Sequence, residues 1–298
     1  MKWMVLILPL FILCSSCVSV QEKDSASLKT GEIARRSEGE AETAQKDTDR
    51  SATVMEKVTL LLKETSYYPD GRLDSYTLFF YQDGSDRLMR EELFTAGDML
   101  FEKTLYEYEG NLLKCKKNYD AEGALKYKRI FTYDGDLLLT SSLIDRTGTV
   151  QNSSRFEYDS QGNKVSWKVY NSSDVMLAYT TYEYSNGKNV KISIYSPSGE
   201  LEGYSILDYN QLNEKVRESF FLDNGTLEKY TIFSYEKGLL ISERYFGADD
   251  RCVREVLYEY DEMGNLIRLK HLDSKSRVKE IKEMEYEVRT LIRTISVD

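Results

Sequence analysis

After residue 57 the chain alternates apolar and polar side chains with a period of two, the pattern of a strand with one face buried. Asn189-Val190-Lys191-Ile192-Ser193-Ile194-Tyr195 is the clearest run: Val190, Ile192 and Ile194 share one side, Lys191 and Ser193 the other. The runs recur. An aromatic-x-Tyr pair returns as Phe79-Phe80-Tyr81, Tyr106-Glu107-Tyr108, Phe131-Thr132-Tyr133, Phe156-Glu157-Tyr158, Tyr182-Glu183-Tyr184, Phe233-Ser234-Tyr235 and Tyr258-Glu259-Tyr260. Leu207-Asp208-Tyr209 and Met284-Glu285-Tyr286 fill the same slot with an aliphatic first member. Successive anchor tyrosines lie 27, 25, 25, 26, 25, 26, 25 and 26 residues apart.

A second marker keeps this phase. Gly71, Gly97, Gly123, Gly148, Gly199 and Gly225 sit in loops, with Asp174, Asp250 and Ser276 in the equivalent places of the other copies. A further turn follows each anchor, as in Asp159-Ser160-Gln161-Gly162-Asn163, where glycine supplies the positive φ of a tight turn. Each copy therefore reads as two strands and two turns. Nine copies predict an all-β domain: an antiparallel meander of about eighteen short strands, built from repeats of 25–26 residues as one elongated or curled sheet. Helix is expected only at the end of the tether and over residues 275–288, which are charge-rich and poor in turn residues.

Phe156-Glu157-Tyr158-Asp159-Ser160-Gln161-Gly162-Asn163 and Tyr258-Glu259-Tyr260-Asp261-Glu262-Met263-Gly264-Asn265 resemble the Tyr-Asp repeats of bacterial rearrangement-hotspot proteins. The units are more distantly similar to MORN-type hairpin repeats. The likeness covers residues 65–290 and is sharp in two copies; the period here is longer than is usual in that family. It implies hairpins laid side by side, and nothing of toxin encapsulation.

The N-terminus has a different composition. Lys2 precedes an apolar run of eleven residues, 3–13, followed by Cys14-Ser15-Ser16-Cys17. The run is too short to span a bilayer and reads as a signal peptide, residues 1–16. Its end resembles a bacterial lipoprotein signal of the relaxed, spirochaete-like kind, with Cys14 where leucine is usual. That resemblance implies that Cys17 is the lipid-bearing first residue of the mature chain, and that the protein sits in the bacterial cell envelope as an outer-membrane lipoprotein. Residues 18–57 hold no aromatic, proline or cysteine and are rich in Ser, Thr, Ala, Glu and Lys. Such a segment buries too little apolar surface to offset its ordering entropy. Residues 17–57 thus read as lipidated cysteine and disordered tether, spanning roughly 35 Å as a coil. Residues 58–298 read as the repeat domain.

The chain of 298 residues carries 40 Lys and Arg against 50 Asp and Glu, a net charge of −10, which argues against a nucleic-acid partner. One histidine, His271, excludes multi-histidine metal sites and leaves Ser-His-Asp or Cys-His machinery without support. His271 reads as a strand-end residue. Asn152, Asn171 and Asn224 lie in Asn-x-Ser/Thr patterns read as turn chemistry. Cys115 and Cys252, far apart in sequence, read as small core-type residues with free thiols. Acids stand between the anchors at Glu107, Glu157, Glu183, Asp208, Glu259 and Glu285. Alternation turns them away from the rings, onto a solvated face or a docking stripe for a basic partner. The ring ladder itself reads as the shared core of neighbouring repeats, the alternative being an aromatic strip for glycans or peptides. No phosphate-binding glycine loop, dinucleotide motif, CxxC pair or nucleophile elbow is present. No catalytic, metal or cofactor site is therefore assigned. The expectation is a non-enzymatic, membrane-anchored repeat scaffold that binds a protein or another envelope or host component. The alternatives are a structural envelope lipoprotein without a discrete ligand and a carboxylate-dependent glycan hydrolase. A transmembrane barrel is disfavoured, because charges fall on both alternating phases, as at Glu102 and Lys103.

Overall fold

The computed structural model describes residues 51–296, and among them eighteen strands and no helix. The strands are β1 (Ser51–Tyr67), β2 (Leu73–Tyr81), β3 (Leu88–Thr95), β4 (Leu100–Glu109), β5 (Leu112–Asp120), β6 (Leu125–Asp134), β7 (Leu137–Asp145), β8 (Val150–Tyr158) and β9 (Lys164–Asn171). They continue as β10 (Met176–Ser185), β11 (Lys188–Tyr195), β12 (Leu201–Tyr209), β13 (Lys215–Leu222), β14 (Leu227–Glu236), β15 (Leu239–Gly247), β16 (Cys252–Tyr260), β17 (Leu266–Asp273) and β18 (Val278–Ser296). Each strand pairs antiparallel with its sequence neighbours, and β1 also pairs with β18.

That last pairing closes the sheet into a barrel, which corrects the expected elongated or curled sheet. Two features of the sequence explain closure. Every one of the eighteen pairings carries a register shift: Lys114, for example, is skipped where Glu107↔Cys115 gives way to Tyr108↔Leu113. A bulge bends its strand and increases local twist, so a bulge in each pair curls the sheet progressively. The sheet also begins one strand before its first anchor. β1 is a strand of the second type, and it completes the ninth repeat begun by β18. Its pairs Leu61↔Tyr286 and Lys63↔Glu285, with Leu62 skipped, reproduce the bulge seen inside the other repeats.

Three further expectations are revised. β1 starts at Ser51, seven residues inside the segment read as tether, so the tether's end is strand paired with β18 and not the expected helix. Residues 278–288 of the expected helix are strand, because β18 is paired with β17 on one edge and β1 on the other; the turn before it is made by Asp273 and Ser276, the latter at φ 56°. In the second copy the left-handed residue is Asp98 (φ 58°), not Gly97, in keeping with the 27-residue spacing of Tyr81 and Tyr108.

The registers fix the faces. Tyr106, Lys116 and Arg129 share the anchor face with Phe131 and Ser141; Glu107, Cys115, Lys117 and Ile130 share the other. In a closed sheet the inner side chains converge and the outer ones splay. The anchor face holds the large buried side chains Tyr106, Phe131, Phe156, Leu207 and Phe220, while the opposite face exposes Phe101, Leu177 and Val253. The anchor face is therefore the inner one. Buried residues on the outer face include small ones, Cys115, Ser166, Ser193, Ser219 and Ser242, covered by the longer side chains beside them. Cys115 is buried and Cys252 half-buried; both are free thiols.

Candidate binding surface

The inner face is organised by the anchor tyrosines. All nine donate their hydroxyl to a backbone carbonyl twenty residues earlier: Tyr81 to Leu61, Tyr108 to Leu88, Tyr133 to Leu113, Tyr158 to Leu138, Tyr184 to Lys164, Tyr209 to Asn189, Tyr235 to Lys215, Tyr260 to Leu240 and Tyr286 to Leu266. The cause lies in the ladder. Backbone pairing of β5 with β6 stops at Cys115↔Ile130, so the carbonyl of Leu113 lies beyond it, and the Tyr133 hydroxyl fills the gap. A buried carbonyl needs such a partner. The pattern holds on both sides of the closing seam, where Tyr81 bonds to β1 and Tyr286 to β17.

Charged groups also line this face, at positions the sequence does not flag. Burial raises the carboxyl of Glu91 above its ordinary range, tempered by a hydrogen bond with Tyr106 and by the charge of Lys116. The Tyr106 hydroxyl is pushed up in turn, first by burial and then by Glu91. Two-thirds of the way round, Tyr245 donates to Glu243, and Tyr258 is held protonated by burial and the same carboxylate. The Arg254 guanidinium lies 3.9 Å from the centre of the Tyr245 ring. Burial lowers the pKa of His271, and Glu280, 3.6 Å from its Nε2, opposes that shift. Each carboxylate is thus matched with phenols and bases. Among the described residues no group of three metal-ligating side chains forms a cluster.

The outer face carries two rows. The first is the acid row read from the sequence. Five of its six members face bases across the strand pair: Glu107 with Lys117, Glu157 with Lys168, Glu183 with Lys191, Glu259 with Arg268 and Lys270, and Glu285 with Lys63. Glu183 and Glu157 are exposed while Tyr184 and Tyr158 are half-buried, as alternation requires; Glu259, held between two bases, is half-buried like Tyr260. The second row lies four residues towards the other rim. There Tyr76 stacks on Phe94, Tyr179 on Tyr195, Tyr204 on Phe221 and Tyr230 on Phe246, at 4.8–5.2 Å between ring centres and 10–17° between planes. Tyr119 and Tyr170 extend it, with Lys103 and Arg155 over their rings. The hydroxyls of Tyr76 and Tyr230 donate to Asp98 and Asp250 in the turns above. The second-strand half of this row, Phe94, Tyr119, Tyr170, Tyr195, Phe221 and Phe246, recurs near the ends of the second-type strands, and the registers pair four of these rings into the stacks.

Cys17, the expected lipid site, lies outside the described residues, as do the signal segment and most of the tether. No protein-family model matches the sequence, and no curated protein matches it. Among solved structures, a porin-like protein from Bacteroides uniformis is similar over 83% of this chain and 100% of its own, at 9% identity and a TM-score of 0.41. A porin-like protein from Bacteroides vulgatus is similar over 77% and 99%, at 12% identity and a TM-score of 0.33. The Tc holotoxin pore of Photorhabdus luminescens is similar over 71% of this chain, at 14% identity and a TM-score of 0.27; the likeness spans about 15% of that much longer chain. Likenesses this weak carry no weight for function.

Proposed function

We propose that the protein is a lipid-anchored, non-enzymatic β-barrel scaffold of the bacterial cell envelope, whose outer aromatic row binds a protein partner. The observation that carries this reading is that row: stacked, half-buried rings on an outward face, beside a row of ion pairs. Aromatic side chains are enriched where proteins bind one another, and exposed ion pairs at the edge of such a patch set orientation more than affinity. The acids that would serve a carboxylate hydrolase are engaged with bases on the outer face, which favours a scaffold over that alternative. The same belt of charge weighs against a barrel that spans a bilayer, whose outer face is an apolar band about 25 Å tall. Cys17 supplies the membrane attachment, through a thioether-linked lipid.

Fractionation of the whole chain beside Cys17→Ala tests the anchor and the barrel together. The wild type partitions with membranes and takes up an alkyne fatty acid; Cys17→Ala loses the label and is soluble without detergent. A variant that stays in the membrane and needs detergent would mean that the barrel itself spans the bilayer. Patch variants Tyr204→Ser and Phe221→Ser then lose the partner captured by the wild type while melting cooperatively. Undiminished capture would move the binding surface elsewhere.

A further inference from the structure

β1 and β18 are far longer than the other strands, at 17 and 19 residues against 8–10. Their extra length leaves the barrel. Residues 51–61 pair with β18 alone, since pairing with β2 begins at Lys63↔Leu78. Residues 284–296 pair with β1 alone, since pairing with β17 ends at Arg268↔Glu283. The pairs Leu61↔Tyr286 and Leu60↔Glu287 still match Tyr108↔Leu113 and Glu109↔Leu112 of an ordinary repeat, so the overhang is residues 51–59 against 288–296: a two-stranded ribbon with a free backbone edge on each side, a template for pairing with another strand.

The two edges differ. Arg293 bonds Glu56 and reaches on to Asp86 in the β2–β3 turn, at 2.8 Å, so that turn flanks the β1 edge. Among the described residues, none of 287–293 bonds to the β16–β17 turn, and the β18 edge is open. The ribbon's faces differ as well. Leu60 and Leu291 are buried on the face that carries Arg293, whereas Met55 and Ile292, directly paired across the ribbon, are 75% and 67% exposed, and Val288 beside them 50%.

The open edge reads Glu287-Val288-Arg289-Thr290-Leu291-Ile292-Arg293, and its exposed face complements itself in reverse. Antiparallel pairing about Thr290 sets Val288 against Ile292, twice by the two-fold axis, while on the other face Arg289 meets Leu291 and Glu287 meets Arg293. Directly opposed residues share a face. The exposed face thus gains apolar pairs; on the other face Glu287 is already engaged by Arg289, and Arg293 by Glu56 and Asp86, so the apolar pairs carry the match. We propose that β18 pairs with the same edge of a second copy of this chain, centred on Thr290, so that two ribbons form a four-stranded sheet and the protein is a dimer. A two-fold interface needs only one self-complementary patch, and a lone ribbon of two strands is marginal in water until more strands join it.

The test uses the whole chain with Cys17→Ser, which removes the lipid, and measures mass by light scattering through a dilution series. Twice the monomer mass is expected at high concentration. Ile292→Glu gives the monomer. Val288→Lys, which sets a charge against Ile292 of the second copy, weakens association by about tenfold or more. The double variant Val288→Lys with Ile292→Glu opposes unlike charges across the two-fold axis and regains the dimer, which damage to the ribbon alone would not allow. Thermal melts of all three variants keep loss of folding apart from loss of pairing. A wild type that is monomeric at every concentration, a dimer indifferent to these changes, or a double variant that stays monomeric overturns the proposal.

Discussion

The hydroxyl of Tyr184 donates a 2.9 Å hydrogen bond to the backbone carbonyl of Lys164, tying one repeat to the second strand of the repeat before it. The ring packs, and its polar end closes a gap in the ladder. Tyr184→Phe keeps the ring and leaves the carbonyl short of a partner, at a cost of about 1 kcal/mol. Tyr184→Ala removes both, at roughly 3 kcal/mol. Glu183→Gln, on the exposed face, changes stability by less than about 0.5 kcal/mol. Thermal melts of the three variants check the order. Greater damage in Glu183→Gln would mean that the faces are assigned wrongly.

Phe220 lies over Gly203. A Cβ built at Gly203 would sit 2.7 Å from the ring and 2.8 Å from the Phe221 carbonyl oxygen. Gly203→Ala is therefore expected to destabilise by about 1–3 kcal/mol through overpacking. Adding Phe220→Leu to Gly203→Ala should recover part of the loss, because it removes the ring but not the backbone clash. Additive damage in the double variant would show that the two residues do not meet.

Ser276 holds the left-handed turn position that Gly71, Gly123, Gly148, Gly199 and Gly225 occupy in other repeats. Ser276→Gly relieves the strain of a side chain in that region, offset in part by glycine's greater freedom when unfolded. A gain of about 1 kcal/mol is expected, read as a raised midpoint in denaturant. A lower midpoint would contradict this account of the turn.

Glu91 makes stability depend on pH. Its folded pKa is raised by burial, so the folded state binds the proton more tightly than the unfolded one. The contribution is full below the unfolded value and is lost as pH rises through the folded one. Glu91→Gln removes that loss. Its melting temperature should gain on the wild type between pH 4.5 and pH 7, and a gap that is constant or that narrows over this range would argue that Glu91 ionises freely.

The strand content was legible in the sequence because each repeat carries its markers in phase: the anchors, the turn glycines and the alternation of Val190, Ile192 and Ile194. Closure was not. It depends on β1 standing in for the second half of the ninth repeat, and β1 has no anchor; Ser51 to Lys57 resemble tether in composition, and only pairing with β18 makes them strand. The inner charges were hidden for a related reason. Lys116, Ser141, Trp167, Ile192, Glu218 and Glu243 occupy one structural column, opposite the first anchor. Their variety gives no periodic signal. The acid row repeats, so it drew attention, yet its members face their bases on the outside.

Closure itself is open to direct measurement. Thr65 and Glu283 are directly paired across the seam between β1 and β18, 218 positions apart in the chain. In the whole chain carrying Thr65→Cys and Glu283→Cys, mild oxidation should form a disulfide between these positions within one molecule, found as a single linked peptide pair by mass spectrometry of the monomer band. Absence of that link, with the variant folded and both thiols free, would show that the sheet is open at the seam and would contradict the barrel.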